Sequence, residues 1–324
     1  MNSNGIVELD KRGDLILRFG ATNDLRVCSR TVARSSVVFE KMLFGPFKES
    51  KKEDKEWIVE LPDDDILPMS IILAMAHGCH KIVPSHVPIP ELFGLLVLGD
   101  KYGMTHLFCH YLHRWLPAAN DVEFGDDTVM IAWIARAIGA KELFEKAIIE
   151  IAKHCHSESE VGPFTGDKDI DLNFHYHIMA SEIMDVVAET RTSLLKAVLK
   201  PLREGLAQAL DVRACKIYNH RETIACSNSL LGSLMRGCKS ADIDLGVTCL
   251  TDSTPAYPNS VNNLCWAVQL MRCDNTLGHD VCNPMGAIRT ETMRAFGNPT
   301  VVMSLSQQEY LEKQAAISGW YEAH

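Results

Sequence analysis

The chain of 324 residues is 47% hydrophobic and 23% charged, with a formal net charge of −10 at pH 7. That make-up belongs to a globular protein with core enough for two or three domains. It argues against direct nucleic-acid binding, which needs Lys and Arg to neutralise phosphate, because no basic stripe offsets the acidity. No run approaches the roughly 18 consecutive apolar residues of a membrane span, so no membrane partner is expected. The opening stretch MNSNGIVELDKRGD has no apolar core behind a basic flank, so no secretory signal is expected either. Eleven cysteines without such a signal point to a reducing intracellular compartment, cytoplasm or nucleus, where thiols are structural, reactive or metal-bound.

Leu15, Leu17 and Phe19 alternate with Ile16 and Arg18, the period of a strand, and Leu25 and Val27 repeat it after a turn at 20–23. The short gap implies a hairpin. Val32, Ser36, Phe39 and Leu43 then fall at helical spacing, with Ser29 or Thr31 placed to cap the helix and Gly45–Pro46 to stop it. A Lys- and Glu-rich loop leads to a strand of Trp57, Val59 and Leu61. Asp63, Asp64 and Asp65 precede the next apolar run, where carboxylates cap a helix; metal or substrate binding is the alternative. Helical faces follow at Ile66, Met69, Leu73 and Ala76, at Leu92, Leu95, Leu96 and Gly99, and at Leu107, Tyr111 and Trp115. His77, His80 and His86 flank a proline-broken linker and, with no Cys/His pair at ligand spacing, read as solvated surface.

Taken in order, GDLIL, LRVCSRTVARSSVVFEKML, PFKES, VELPDDD, LAMAHG, LFGLLVLGDKYGM and HRWLP resemble the BTB/POZ domain in the form found in filamentous ascomycete fungi, over residues 10–118. Gly99 stands where that family usually has alanine, which would loosen the packing of its helix. The resemblance implies an α+β domain with no catalytic apparatus. Such a domain pairs with itself or with other BTB proteins, and in some members recruits a cullin scaffold of a ubiquitin ligase. The recruiting members carry an apolar-x-Glu motif, matched here by Phe47, Lys48 and Glu49, which makes Phe47 and Glu49 the candidate partner-binding residues. Phe47 is either an exposed anchor or a loop residue folded back on the core.

Residues 119–212 read as a helical extension. Val129, Trp133 and Ala137 mark a helix ended by Gly139, and Leu143, Ala147, Ile148 and Ile151 a second. His154, Cys155 and His156 look like metal ligands, but lack a second cluster nearby in sequence. A loop is expected at 157–171, with Gly162, Pro163 and Gly166. From Ile178 a long helical pattern runs to Leu210, kinked or restarted at Pro201.

Residues 213–324 hold seven cysteines among short helices, the last opened by a capping box at Ser306–Glu309. LLGSLMRG, YPNSVNNL and HDVCNP resemble a region recurring in fungal BTB proteins. Cys238 and Cys265 lie on apolar faces and read as buried thiols. His279 and Cys282 form a His-x2-Cys pair on a turn, and Cys215 and Cys226 can complete a Cys3His set for one structural Zn2+. Cys273 or His220 is a reserve ligand, and ordinary reduced cysteines are the other reading. No GxGxxG after a strand, P-loop, GxSxG or HExxH motif is present. The expectation is therefore a non-enzymatic protein-interaction protein, with a Cys/His-dependent enzyme as the alternative.

Overall fold

The structure, a computed structural model, describes residues 6–20, 23–51, 56–156, 177, 182–211, 215–217, 220–243, 257–274 and 278–321. The loop expected at 157–171, the helix start at Ile178 and Cys249 lie outside the described residues. The fold is mixed α/β and mostly helical. Its elements are β1 (Ile6–Glu8), β2 (Leu15–Phe19), β3 (Asn23–Val27), α1 (Ser29–Ser35), α2 (Val37–Phe44), β4 (Ile58–Glu60), α3 (Ile66–Ala76), α4 (Ile89–Lys101), α5 (Leu112–Trp115) and α6 (Thr128–Ile138). They continue with α7 (Lys141–His154), α8 (Ile183–Leu210), α9 (His220–Ser240), α10 (Val261–Leu270), α11 (Met285–Gly297) and α12 (Leu305–Ser318).

The chain forms two compact units, residues 1–144 with 304–324 and residues 145–303. It does not part at 118/119 or 212/213, where the sequence suggested boundaries. The reason lies in packing: α6 pairs with the C-terminal α12 in the first unit, and α8 pairs with α9 and α11 in the second. Among the described residues no helix is long and apolar enough to cross a membrane.

In the first unit a four-stranded sheet runs β1-β3-β2-β4. The expected hairpin pairs β2 antiparallel to β3 with Leu17 opposite Leu25, and β4 lies parallel to β2 with Val59 beside Leu17. Leu15, Leu17, Phe19, Leu25, Val27 and Val59 are buried on one face of the sheet, and Ile16 on the opposite face of β2 is buried as well. Arg18 grips Asp24 across the hairpin through two bonds of 2.9 Å.

The helical pattern over 31–43 is two helices. Ser36 is extended (φ −151°, ψ 116°) and its Oγ accepts the Phe39 N–H at 3.0 Å while donating to the Tyr102 carbonyl at 2.5 Å. It thus caps α2, whereas α1 starts at Cys28 with no side-chain cap, rather than at Ser29 or Thr31. Ser36→Ala is expected to destabilise the protein by about 2 kcal/mol, a lost cap plus a buried carbonyl left without its donor. Equilibrium denaturation checks this; a change under about 0.5 kcal/mol would refute the dual role.

His77 is no solvated surface residue. Its Nε2 accepts the Cys28 N–H at 3.1 Å and its Nδ1 lies 2.8 Å from the Leu73 carbonyl, so the bonding selects the Nδ1–H tautomer. His80 bonds the Tyr111 hydroxyl at 2.6 Å. Of the acidic triplet, Asp65 caps α3 by accepting the Leu67 N–H, and Asp64 accepts bonds from Lys101 and the Tyr102 hydroxyl. Gly99 does not loosen α4: the Phe108 ring fills the space, and a Cβ there would come within 2.7 Å of it. The run through Leu107, Tyr111 and Trp115 is a 3-10 turn (Thr105–Phe108) followed by the short α5. The last helix is opened by a capping box of Ser304 and Gln307, two residues before the expected one.

In the second unit α8 runs unbroken from Ile183 to Leu210 with Pro201 inside it. Leu194, Val198, Leu202 and Leu206 pack with Leu230, Leu234 and Cys238 of α9 and with Leu264, Cys265 and Val268 of α10. Ser260 caps α10 as expected, accepting the Asn263 N–H at 3.1 Å. Gly205 lets α11 approach, since a Cβ there would stand 2.7 Å from Ile288 Cδ1.

Candidate metal centre

Three separate stretches of the second unit converge on one point. Cys215 precedes α9, Cys226 sits in the second turn of that helix, and His279 and Cys282 bracket a 3-10 turn (Asp280–Cys282). Gly278 takes φ +79° just before the turn, a conformation that glycine adopts without Cβ strain. In a 3-10 turn residues three apart eclipse, so His279 and Cys282 face the same way. Cys282 N–H closes the turn on the His279 carbonyl at 2.9 Å, and Asn283 Oδ1 then accepts the Met285 N–H to start α11.

The ligand atoms of Cys215, Cys226, His279 and Cys282 all lie within 4.8 Å of one another. Cys215 Sγ is 3.2 Å from His279 Nδ1 and 4.0 Å from Cys282 Sγ. A tetrahedral ion with ligands at ~2.0–2.3 Å wants those atoms roughly 3.3–3.8 Å apart, so closure on an ion needs a contraction of about 1 Å at the widest edge. The four can hold a metal such as zinc. Cys226, His279 and Cys282 are 1%, 2% and 6% exposed, while Cys215 is half-exposed. The Lys216 N–H points at Cys282 Sγ from 3.3 Å, a backbone donor of the kind that steadies a thiolate ligand.

The bare donor set is electrostatically lopsided. Desolvation pushes the Cys215 thiol up, but hydrogen bonds with the Ile217 backbone, Cys282, His279 and Cys226 outweigh it and hold the thiol below its ordinary value. Cys226 is pushed up to about 12 by desolvation and by its bonds to Cys215 and Cys282. A divalent cation at the centre of the set would favour the thiolate forms that bind it.

Of the reserve ligands, Cys273 does not enter: it is outside the cluster, with its carbonyl accepting from Asn283 Nδ2 at 3.5 Å. The side chain of His220 lies outside the described residues. His154, Cys155 and His156 form no metal cluster among the described residues: His154 Nδ1 lies 2.9 Å from the Glu150 carbonyl, and Cys155 is buried beside Arg191, with desolvation pushing its thiol up. Sequence reasoning missed Arg191 itself, a buried arginine whose Nη2 bonds the Tyr257 and Asn259 carbonyls at 2.7 and 2.8 Å. Its polar identity inside an apolar helical face was the available signal.

In the first unit Phe47 is 56% exposed, so it is not folded onto the core. Glu49 gives its carbonyl to Trp57 Nε1 at 2.7 Å, and its carboxylate lies 3.6 Å from Lys48 Nζ. On α2, Val37, Val38 and Phe44 are also exposed, at 60%, 41% and 56%. Val37 and Phe44 line an open cleft of about 630 Å3 with Arg30, Arg34, Glu40 and His106. Comparison with protein-family models, with curated proteins and with solved structures returns no match.

Proposed function

We propose that this protein works by binding other proteins and performs no chemistry of its own, with a first unit of the BTB/POZ type that associates with a second copy. One observation carries the reading: four large apolar side chains, Val37, Val38, Phe44 and Phe47, stand exposed within eleven residues of chain. Val37 and Phe44 line one cleft, and exposed apolar side chains grouped in this way mark an interface, with aromatic residues as its usual anchors. The order hairpin, two helices, parallel strand, helices agrees with the BTB/POZ reading in general terms.

The test is sedimentation velocity on the full chain from about 1 to 100 μM, a span that brackets ordinary weak homodimers. A rise in mass to that of a dimer is expected, weakened on the order of 30-fold by Phe44→Ala with Phe47→Ala if the pair together contributes ~2 kcal/mol, the lower end for interface anchors. Phe47 is exposed and Phe44, though exposed, also meets the Trp57 ring edge-on, so the variant should lose only on the order of 1 kcal/mol of stability and stay folded. A chain monomeric throughout overturns the self-association.

A second reading, an adaptor for a cullin-type ubiquitin ligase, is favoured by the exposure of Phe47 with Glu49 two residues on. It predicts that a cullin co-purifies with the full chain and is lost with Phe47→Ala; no cullin, or an unchanged yield, rejects it.

For the second unit we propose one structural Zn2+ on Cys215, Cys226, His279 and Cys282. The burial of three of the four ligands supports a structural rather than a catalytic site. The same burial weighs against a Cys215–His279 nucleophilic pair, which would share its point with two further thiols. Elemental analysis of the purified chain is expected to find one zinc per molecule, and absence of stoichiometric metal would reject the assignment.

A further inference from the structure

We propose that the Cys3His centre is a peroxide-responsive release point, in which oxidation joins Cys215 to Cys282 and frees the ion. The inference rests on the zinc reading above and adds its regulation. Four observations lead to it. Cys215 is the half-exposed thiol of the set, so a small oxidant reaches it first, whereas Cys226, His279 and Cys282 are buried. Cys215 lies outside any helix, in the stretch before α9, while Cys226 is fixed within that helix. Its Sγ is 4.0 Å from Cys282 Sγ, so an approach of about 2 Å makes the bond. Cys282 sits at the end of a one-turn 3-10 segment, where a side chain can swing without unwinding a long helix.

The chemistry balances with hydrogen peroxide as oxidant. The Cys215 thiolate sulfur attacks one peroxide oxygen; the S–O bond forms, the O–O bond breaks, and the departing hydroxide takes a proton and leaves as water. The Cys282 thiolate then attacks the Cys215 sulfur; the S–S bond forms, the S–O bond breaks, and a second hydroxide leaves as water after taking a proton. Two thiolates have given up two electrons and one peroxide has become two waters. Only Cys226 and His279 then face the ion, half of a tetrahedral set, and two neutralising charges are gone. A dithiol reductant reverses the step by returning the two electrons, after which zinc rebinds. Cys28, Cys79, Cys109 and Cys273 are also partly exposed and serve as internal comparators, because none of them belongs to the cluster.

The experiment uses the full chain, its zinc content first measured and made up to one equivalent. Hydrogen peroxide is added, released zinc is read with a chromogenic chelator, and disulfides are mapped by mass spectrometry after alkylation of free thiols. One zinc is expected to appear per Cys215–Cys282 disulfide, with recovery on reduction. Cys273→Ser should leave both readings unchanged. Cys215→Ser removes a ligand together with the accessible nucleophile and should hold little zinc from the start, so the disulfide map of the wild-type chain is the deciding reading. Zinc that stays bound under peroxide, or leaves while the disulfide joins another pair, overturns the switch but not the zinc site. A chain that takes up no zinc at all overturns both.

Discussion

Replacing Gly139 by alanine is expected to destabilise the first unit by about 3 kcal/mol or more, a large loss against the ~5–15 kcal/mol of a whole domain. Two independent costs add. Gly139 ends α6 at φ +78°, a left-handed conformation that costs an L-residue roughly 1–2 kcal/mol. A Cβ there would also stand 2.1 Å from the Ala315 nitrogen and 2.4 Å from the Leu311 carbonyl oxygen, both backbone atoms of α12. No rotamer change relieves a clash with backbone, so α12 must move, and overpacking of this kind costs about 1–3 kcal/mol. Moving it strains the Ser318 Oγ bond to the Ile138 carbonyl, 2.6 Å long, and the Arg136 guanidinium over the Tyr310 ring. Gly20→Ala isolates the first cost, because Gly20 has φ +60° with nothing within 4 Å of the added carbon, and should lose only about 1 kcal/mol. Urea denaturation followed by tryptophan fluorescence reports on the right unit, since Trp57, Trp115, Trp133 and Trp320 belong to it and only Trp266 to the other. Equal midpoints for the two variants would refute the close seat of α12 on α6.

That seat shows where sequence patterns run out. Gly139 is legible as a helix stop from its identity alone, and so are the strand period of Leu15–Phe19, the Asp65 cap and the Ser260 cap, because each is written within a few residues. The return of residues 304–324 to the first unit is a contact between chain segments more than 150 residues apart. It has no local signature, so the expected boundaries followed the order of the chain instead of its packing. β1 was missed because three residues bound to β3 by backbone hydrogen bonds leave no period to read. Ser36 looked like a position on one continuous helical face. Its bond to the Tyr102 carbonyl, sixty-six residues away, is part of what holds the chain extended there. Of the metal centre, only His279 and Cys282 were marked by their spacing. Cys215 and Cys226 were picked out by polar surroundings, and the structure brings all four together. The exposure of Phe47 stayed open in sequence, since a loop after Gly45–Pro46 has no periodicity to say which way a side chain turns.

Loss of the proposed zinc is expected to have the other large effect, and it should be regional. Cys226→Ser removes a ligand that is 1% exposed and leaves two thiols and an imidazole facing a weaker oxygen donor, so zinc content should fall from one per chain to near zero. Where folding depends wholly on the ion, structural zinc contributes ~10–16 kcal/mol at pH 7. The second unit does not depend on it wholly, because Leu194, Val198, Leu234 and Leu264 already bury an apolar core of their own. Stabilisation then follows how tightly the folded unit binds, about 4 kcal/mol when free zinc is a thousandfold above the dissociation constant. Hydrogen exchange on the full chain is the discriminating measurement. In Cys226→Ser, or after chelation, protection should drop at 215–217, in the first turns of α9 and at 279–282, and persist along α8 from Leu194 to Leu206. Proton release on loading supplies a second check: a Cys226 thiol pushed up to about 12 is protonated in the bare cluster and must give up that proton to bind, so affinity weakens as pH falls. Unchanged protection at the three ligand stretches would mean that hydrogen bonds and apolar packing hold them without the ion. Exchange spreading along α8 would mean the opposite, that the core of the second unit cannot stand unless those stretches are tied.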